Sequence, residues 1–558
     1  MCIRDRLYPW FKCPDYDDTF ILSSLFNPDR PKPPGCSGSH GLEAWGVRFG
    51  VPKPKHEDWT NFSEDMLHRC REDVKINVLT YRYLYEKRTS WDWELAIKIE
   101  YTVANIQRQQ EDNGVLFDKR KAIDLWIKIV KELHQIDARL LKQLPLRCEA
   151  GTEVKKPFLK NGNYAKNTVS YWRDSPEYLD SRKVVGPYSK ITIKPFNLNS
   201  NDQIKNYLIS VGWVPTEWNY KKDGKKWVYD SKGNKIKSSP KITLESLEGL
   251  DLGEMGNLLA RRAILQHRKN LIYSFSPNKK KPSGLLTNIR PDGRISALAN
   301  TVAANTGRFR HSVVVNIPKR GLYGEELRSL FIAPDNMVMI GADAKALEAR
   351  TEAHNCFPFP GGEEYAHDLI DGDVHAKNAA VFGTDRDGAK PGKYSIVYGA
   401  SVEKFTETIG ASPQKGKELY EAFWKSNTAL KGFKEAVIKE YRANKKKYGY
   451  GFIKGLDGRQ LRGRSEHSLV NLKFQSDGAI LMKVTECFLF NKFLPKHRVV
   501  YEKVLDFHDE FQSYVLPEHQ EIYKEQCLKS FIDAGNFFNY NVPIVGDVKI
   551  GRNWSECH

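Results

Sequence analysis

Met337-Val338-Met339-Ile340-Gly341-Ala342-Asp343 is an apolar run closed by a carboxylate, and Val504-Leu505-Asp506-Phe507-His508-Asp509-Glu510 ends on two more. Short apolar runs bounded by polar residues read as buried strands, so both segments predict strands that deliver acids to a sheet edge. An Asp that follows a strand is ordinarily a turn or cap residue, and neither segment carries chemistry alone. Between them, the stretch from about Glu364 to Phe490 has a mostly helical pattern. Two strands separated by that much helix predict an α+β sheet domain with a helical subdomain inserted in it.

Inside the insertion, Arg386, Lys390, Tyr394 and Tyr398 recur every four residues, which places them on one helix face. Arg, Lys and two aromatics make a poor core face and a good platform for a triphosphate and a base. Upstream, Gly372-Asp373-Val374-His375 offers one more phosphate donor. Thr306-Gly307-Arg308 precedes the first carboxylate, and Asn471 with Gln475 precedes the second by one helix.

The whole chain has 558 residues, enough for roughly two to four domains. No run of about 18 uncharged apolar residues is present, which argues against a membrane span. Lys and Arg number 87 against 69 Asp and Glu, a net charge of +18, and a surplus of this size points to polyanionic partners. Nine cysteines are scattered from Cys2 to Cys557 without a C-x-x-C pair. That suits reduced thiols better than a disulfide framework or a zinc cage.

Ahead of the first strand the reading is coarser. Met66, Cys70, Val74 and Val78 give Trp59–Lys87 a helical period. A longer helical region runs from about Trp91 to Leu144 and breaks at Asn113-Gly114, predicting a helical hairpin turned at Gly114. Its second half carries Ile123, Trp126, Ile127, Ile129, Val130, Leu133, Ile136 and Leu140, a broad apolar face. From about Leu146 to Thr243, lysines alternate with aromatics: Lys155-Lys156, Tyr164, Tyr171-Trp172, Tyr220-Lys221-Lys222 and Lys225-Lys226-Trp227. This reads as an irregular solvated insertion or as a surface for a nucleic-acid backbone. Lys279-Lys280-Lys281 marks a loop tip suited to phosphate contact.

In combination these segments resemble a family A DNA polymerase of the kind used for replication by short-tailed bacteriophages, from about Asp18 to His558. Asp343-Ala344-Lys345-Ala346-Leu347-Glu348-Ala349-Arg350 is similar to the family's first palm motif. Arg386 through Gly399 resembles its fingers helix, and His508-Asp509-Glu510 its second palm motif. The ending Gly551-Arg552-Asn553-Trp554-Ser555-Glu556-Cys557-His558 also looks like a phage polymerase C-terminus. The resemblance implies a right-hand α+β fold with an antiparallel palm sheet and helical fingers and thumb, preceded by a remnant of a ribonuclease-H-like exonuclease domain. The expected limits are 1–90 for that truncated remnant, 91–300 for the thumb with its basic insertion at about 146–243, and 301–558 for the palm, with fingers at about 355–485.

The implied reaction is template-directed addition of dNMP from a dNTP to a primer 3′-hydroxyl, in phage DNA replication within the cytoplasm of an infected host. Asp343 and Asp509, helped by the backbone carbonyl of Ala344, would hold two Mg²⁺ ions, one activating the primer hydroxyl and the other stabilising the leaving pyrophosphate. Lys390 would neutralise the triphosphate and protonate the leaving group, while Arg386 and His375 would hold the outer phosphates. Glu348 and Tyr398 would crowd the ribose 2′ position, and Tyr394 would stack beside the incoming sugar and base. Arg308, Gln475 and His508 would touch the minor groove and primer end, where universal acceptors make contact a check of geometry. Glu510 would stand one layer behind the metal ligands. A single-subunit RNA polymerase shares the palm and the fingers Lys, but Glu348 argues against it. Retention of both carboxylates, Lys390 and Arg386 argues against a non-catalytic DNA-binding descendant.

The chain departs from the family pattern in three places. Pro391-Gly392 interrupts the expected fingers helix, and Pro removes a helical hydrogen bond. Arg308–Pro318 is shorter than the phage pattern, so only Arg308 carries over. Asp18-Thr19, Ser39-His40-Gly41-Leu42-Glu43-Ala44-Trp45-Gly46 and Arg71-Glu72-Asp73-Val74 resemble the second half of a 3′–5′ exonuclease, with Asp73 as its matching ligand. Arg69 stands where a Tyr is expected, and the opening acidic strand and middle Asp motif are missing. The expectation is a fragment with a non-native Met1–Tyr8 leader and no proofreading. In some phage relatives the region matching Leu146–Lys194 recruits a host processivity factor, thioredoxin. Here it is shorter, only Val211-Gly212-Trp213-Val214-Pro215 matches closely, and a DNA-contacting thumb insertion is the preferred reading.

Overall fold

A computed structural model describes residues 17–557 except 145, 167, 169–185, 216, 224–225, 231–235, 243–250, 252, 276–280 and 316. Tyr171-Trp172, Lys225, Lys279-Lys280, His558 and the Met1–Tyr8 leader therefore lie outside the described residues. The backbone divides into two units, one of residues 1–119, 288–319 and 324–558, the other of 120–287 with 320–323.

The first unit begins with three helices, α1 (Thr19–Phe26), α2 (Leu42–Phe49) and α3 (Glu64–Thr89). Asp18 caps α1 by accepting from the Phe20 and Ile21 N–H groups, satisfying donors that a helix start leaves open. The three helices share a core of Leu22, Leu25, Phe26, Trp45, Ile76 and Leu84. The expected helix of residues 59–87 is present, but its buried face is not the expected one. Val74 and Val78 are 63% and 44% exposed, and the stripe turned inward is Ile76, Thr80 and Leu84. Two residues' displacement is about 200° of helix rotation, so the apolar period was legible and its phase was not.

Helix α4 (Glu94–Asn113) buries Ile97, Ile99, Val103 and Ile106. It does not turn into a helical hairpin. Gly114, at φ +64°, leads into strand β1 (Val115–Phe117), which pairs antiparallel with Phe331–Ile332 and with Arg294–Ile295. A Gly after the last helical residue marks where a helix stops and does not specify the next element.

The remainder of the first unit runs through β2 (Val338–Ala344), α5 (Leu347–Cys356), α6 (Gly362–Ile370), α7 (Val374–Phe382), α8 (Arg386–Val397), α9 (Thr428–Tyr448), β3 (Phe452–Lys454), β4 (Gln460–Arg462), α10 (Leu469–Phe488), β5 (Tyr501–Phe507), β6 (Glu510–Val515), α11 (Gln520–Phe537) and β7 (Gly546–Gly551). Both predicted strands lie in one antiparallel sheet of order β5-β6-β2-β7. Its apolar face, with Ile340, Ala342, Phe511 and Val515, packs on Leu481 and Val484 of α10, Tyr523 and Phe531 of α11, and Val103 and Ile106 of α4. Gly341, mid-strand, lets the backbone at Cys557 pass where a Cβ would collide with the Cys557 carbonyl. The inserted helices build a separate core of Phe382, Ile396, Val397, Phe405, Phe423 and Phe433. This is the α+β sheet domain with an inserted helical subdomain. Helix α8 continues through Pro391.

In the second unit, the helix Lys119–Gln143 buries only Ala122, Leu125, Ile129, Leu133, Ile136 and Leu140. Ile123 and Ile127 stay exposed, so its apolar face is narrower than expected. Ion pairs Arg261–Glu132 and Arg262–Asp137, each at 2.5 Å, join it to the helix Gly253–Ile272. The basic insertion is not shapeless: it holds an antiparallel pair, Arg147–Val154 with Tyr188–Lys194, and the helix Asn201–Ser210. Trp213 is buried while Val214 beside it is exposed.

Candidate active site

Asp343 lies at the end of β2, paired across to Glu510 of β6 on one side and to Asp547 of β7 on the other. The β5–β6 connection is a two-residue turn, His508-Asp509, closed by the Phe507–Glu510 pair. His508 takes φ +61°, a left-handed conformation that costs a residue with a Cβ. The Ala344 N–H donates to the Asp509 carbonyl at 3.3 Å, which ties the two acid-bearing segments together. Burial, and then the neighbouring Asp509, push the Asp343 carboxyl up to about 6. Two carboxylates sharing a site resist joint ionisation, and Lys319 offsets part of the effect.

Asp509 is exposed in its turn, whereas Glu510, the next residue, is buried on the face of the sheet that its cross-strand partner Asp343 shares. Glu510 accepts from Trp554 Nε1 at 2.9 Å and from Arg328 at 3.4 Å. Arg328 stacks 4.2 Å over the Trp554 ring and feels Asp343, while burial draws its pKa down to about 10. Sequence reasoning missed Arg328, since Gly324-Glu325-Glu326-Leu327-Arg328 reads as an ordinary charged surface turn of helix. Trp554, near the C-terminus, was the available signal.

On the fingers side, Arg386 Nε donates to Asp373 Oδ2 at 2.7 Å. Asp373 Oδ1 caps α7 through the His375 and Ala376 N–H groups. The His375 ring lies 5.8 Å from that of Tyr394, and Tyr394 lies 5.7 Å from Tyr398. Burial first, then Lys393, Arg386 and Lys390, hold the His375 imidazole below its ordinary value, so it stays neutral. The Tyr398 hydroxyl donates to Glu348 at 2.9 and 3.2 Å, and burial together with that carboxylate raises its pKa well above normal. Lys390 is exposed on the same helix. Arg308 is exposed and within the field of both Tyr398 and His508. Partial burial, with Arg308 and Arg328 near, keeps His508 below its ordinary value. Gln475 sits half-buried on α10, one turn after Asn471, and none of these contacts includes it. Asp73, on α3, is paired with Arg69 at 3.2 Å and Lys53 at 3.4 Å.

Two carboxylates at one end of the sheet and a helix displaying Arg, Lys and Tyr now stand within one unit. The profile of DNA polymerase family A matches residues 179–556. The chain belongs to DNA polymerase family A. It is 29% identical to the DNA-directed DNA polymerase of Enterobacteria phage T3, over 97% of this chain and 87% of that protein, and 29% identical to that of Escherichia phage T7 over the same shares. Against the thermostable DNA polymerase I of Thermus filiformis, identity is 25% over 68% of this chain and 44% of that protein. The POL domain of Pol1 from M. smegmatis, solved in complex with DNA primer-template and dNTP, matches in fold with a TM-score of 0.65 at 18% identity, over 97% of this chain and 82% of that one. Family A polymerases use divalent metal ions. Among the described residues of this polymerase no group of three or more His, Cys, Asp or Glu is arranged to hold a metal.

Proposed function

We propose that this family A polymerase extends a primer by transferring dNMP from a template-selected dNTP to the 3′-hydroxyl, with the residues of β2, the β5–β6 turn and α8 as its machinery. The observation that carries the reading is Asp343. Its carboxyl is driven toward neutrality by burial and by Asp509, a tension that a bound divalent cation relieves. Two Mg²⁺ ions held by Asp343, Asp509 and the Ala344 carbonyl would supply Lewis-acid activation of the primer hydroxyl and charge neutralisation at the departing pyrophosphate.

The chain's own groups do the rest. Lys390 meets the triphosphate and gives the leaving group a proton. Arg386 exchanges Asp373 for a phosphate oxygen, and His375, kept neutral, donates a ring N–H to the outer phosphates. Tyr394 stacks beside the incoming sugar and base. The Glu348–Tyr398 hydrogen bond walls off the space a ribose 2′-hydroxyl needs. Arg308, His508 and Gln475 face the primer terminus and minor groove, and Glu510 props the hairpin through Trp554 and Arg328. Asp73 is held by Arg69 and Lys53, and we assign it no proofreading role. Residues 91–300 act as the thumb, its basic insertion at about 146–243 following the DNA backbone, with a processivity factor such as host thioredoxin as an alternative occupant of that insertion. No helix among the described residues is long and apolar enough to cross a membrane, and the place of action we assign is the cytoplasm of an infected host.

Primer extension with and without Mg²⁺, and with each dNTP omitted in turn, tests this. Extension should require Mg²⁺, stop where the omitted base is called for, and leave a mismatched 3′ end untrimmed. Extension by rNTPs in place of dNTPs, or none at all, overturns the reading.

A further inference from the structure

Lys393 lies on α8 among its buried residues Ala389, Gly392, Ile396 and Val397, and its side chain is 3% exposed. Its Nζ donates to Glu352 Oε2 at 3.0 Å, and Glu352 Oε1 accepts from the Tyr365 hydroxyl of α6 at 2.5 Å. Each carboxylate oxygen of Glu352 thus has its own donor, from a different helix. Buried ion pairs contribute little net stability, since apolar packing of the same volume does as well or better. What such a pair supplies is fixed geometry. One turn earlier on α5, Glu348 receives the Tyr398 hydroxyl. Helix α5 therefore grips α8 at two points, and Tyr394 lies in the chain between the two gripped residues.

The N-terminal half of α8 is held differently. Pro391 has no N–H to offer the carbonyl of residue 387, so the helix is weakest there. Gly392 packs so closely that a Cβ would come within 3.0 Å of both Phe382 and Ile409. Ahead of that joint, Arg386 and Lys390 are exposed, and the Arg386–Asp373 contact lies at the surface.

We propose that Glu352 and Lys393, with Tyr365, are positioning residues that clamp the C-terminal half of α8 onto α5. They keep Tyr394 at a fixed depth and confine nucleotide-driven movement to the Arg386–Lys390 segment ahead of Pro391. The inference rests on α8 being the nucleotide-binding helix.

Hydrogen exchange on the full chain reads the two halves separately and needs no turnover. The probe is a dideoxy-terminated primer–template with Mg²⁺, with and without the templated dNTP. Amides at 393–397 should exchange slowly in both states, while those at 386–390 gain protection with nucleotide. Lys393→Met combined with Glu352→Leu leaves no orphan charge. It should speed exchange at 393–397 at least about tenfold and raise KM for dNTP about tenfold or more, with primer–template affinity unchanged. Tyr365→Phe removes one donor and keeps the packing, and should move KM the same way by roughly threefold; it decides the matter if the double variant does not fold. Equal protection of both halves in the wild-type chain overturns the proposal, as does a folded variant whose KM and exchange stay within about twofold of wild type. Absence of nucleotide protection anywhere on α8, with primer–template bound, overturns the reading of α8 itself and this inference with it.

Discussion

Beneath the palm sheet, Glu100 accepts from Lys483 at 2.7 and 2.9 Å and from Arg459 at 2.6 Å, and Arg459 also holds Asp457 at 2.6 Å. Close by, Lys503 joins Glu486 at 2.5 Å and Asp506 at 2.8 Å. All of these side chains are buried. On α8, by contrast, Arg386 is 57% exposed and pairs with Asp373, itself 41% exposed. The buried charges are committed to partners that cannot leave without stranding a charge in low dielectric. The exposed pair is worth little and exchanges readily with water or ligand. One region is therefore built to stay put under the two carboxylates, and the other is free to change partners, as the proposed contact with a triphosphate requires.

The largest test of that contrast is Asp343→Asn. Extension should fall by on the order of 10³-fold or more, because the variant loses the charge that the proposed metal-assisted transfer relies on for transition-state stabilisation. The same change should stabilise the protein when metal is chelated away. The folded Asp343 carboxyl titrates near 6, above the ordinary carboxylate value of 3.8, so between those values the folded chain binds more protons than the unfolded one. Stability therefore falls as pH rises through that window and stays lowered at pH 7. Removing the charge should return about 1–2 kcal/mol at pH 7, after allowance for partial solvent screening. Urea unfolding in EDTA should show the gain at pH 7 and little of it at pH 4.

The middle test sets one cation from each region side by side. Lys483→Met leaves Glu100 under-compensated in the core and should cost about 3–5 kcal/mol, read as a fall in the urea midpoint. Arg386→Met should leave that midpoint unchanged and lower extension by roughly 10²-fold. If the two substitutions act alike on stability, the division into fixed and exchangeable charge is wrong.

Period is what the sequence made legible. The apolar runs ending in Asp343 and leading to Asp509 needed only short-range pattern to read as strands. The spacing Arg386, Lys390, Tyr394, Tyr398 needed only the helix repeat. Phase and partner were not legible. Val74 and Val78 share a period with Ile76 and Leu84, and the side chosen depends on where α1 and α2 lie. Glu100 meets Lys483 across 383 residues, and no local pattern announces such a pair. Lys393, one residue before Tyr394, reads as one more surface lysine until Glu352 is seen beneath it. Pro391, read as a threat to the helix, sits within a continuous one whose C-terminal half is held from below.

Asp373→Asn has the smallest expected effect and the most pointed one. Asp373 does two jobs: one oxygen caps α7 and the other holds Arg386. Asn keeps an oxygen for the cap, since it is as good an N-cap as Asp, and gives up only the charge that competes with the triphosphate for Arg386. KM for dNTP should then fall by about two- to fivefold with kcat unchanged, and the difference should shrink as salt screens the exposed pair. A rise in KM would mean that Asp373 aims Arg386 at the phosphates rather than withholding it. The exposed charges of α8 would then be as fixed in purpose as those under the sheet.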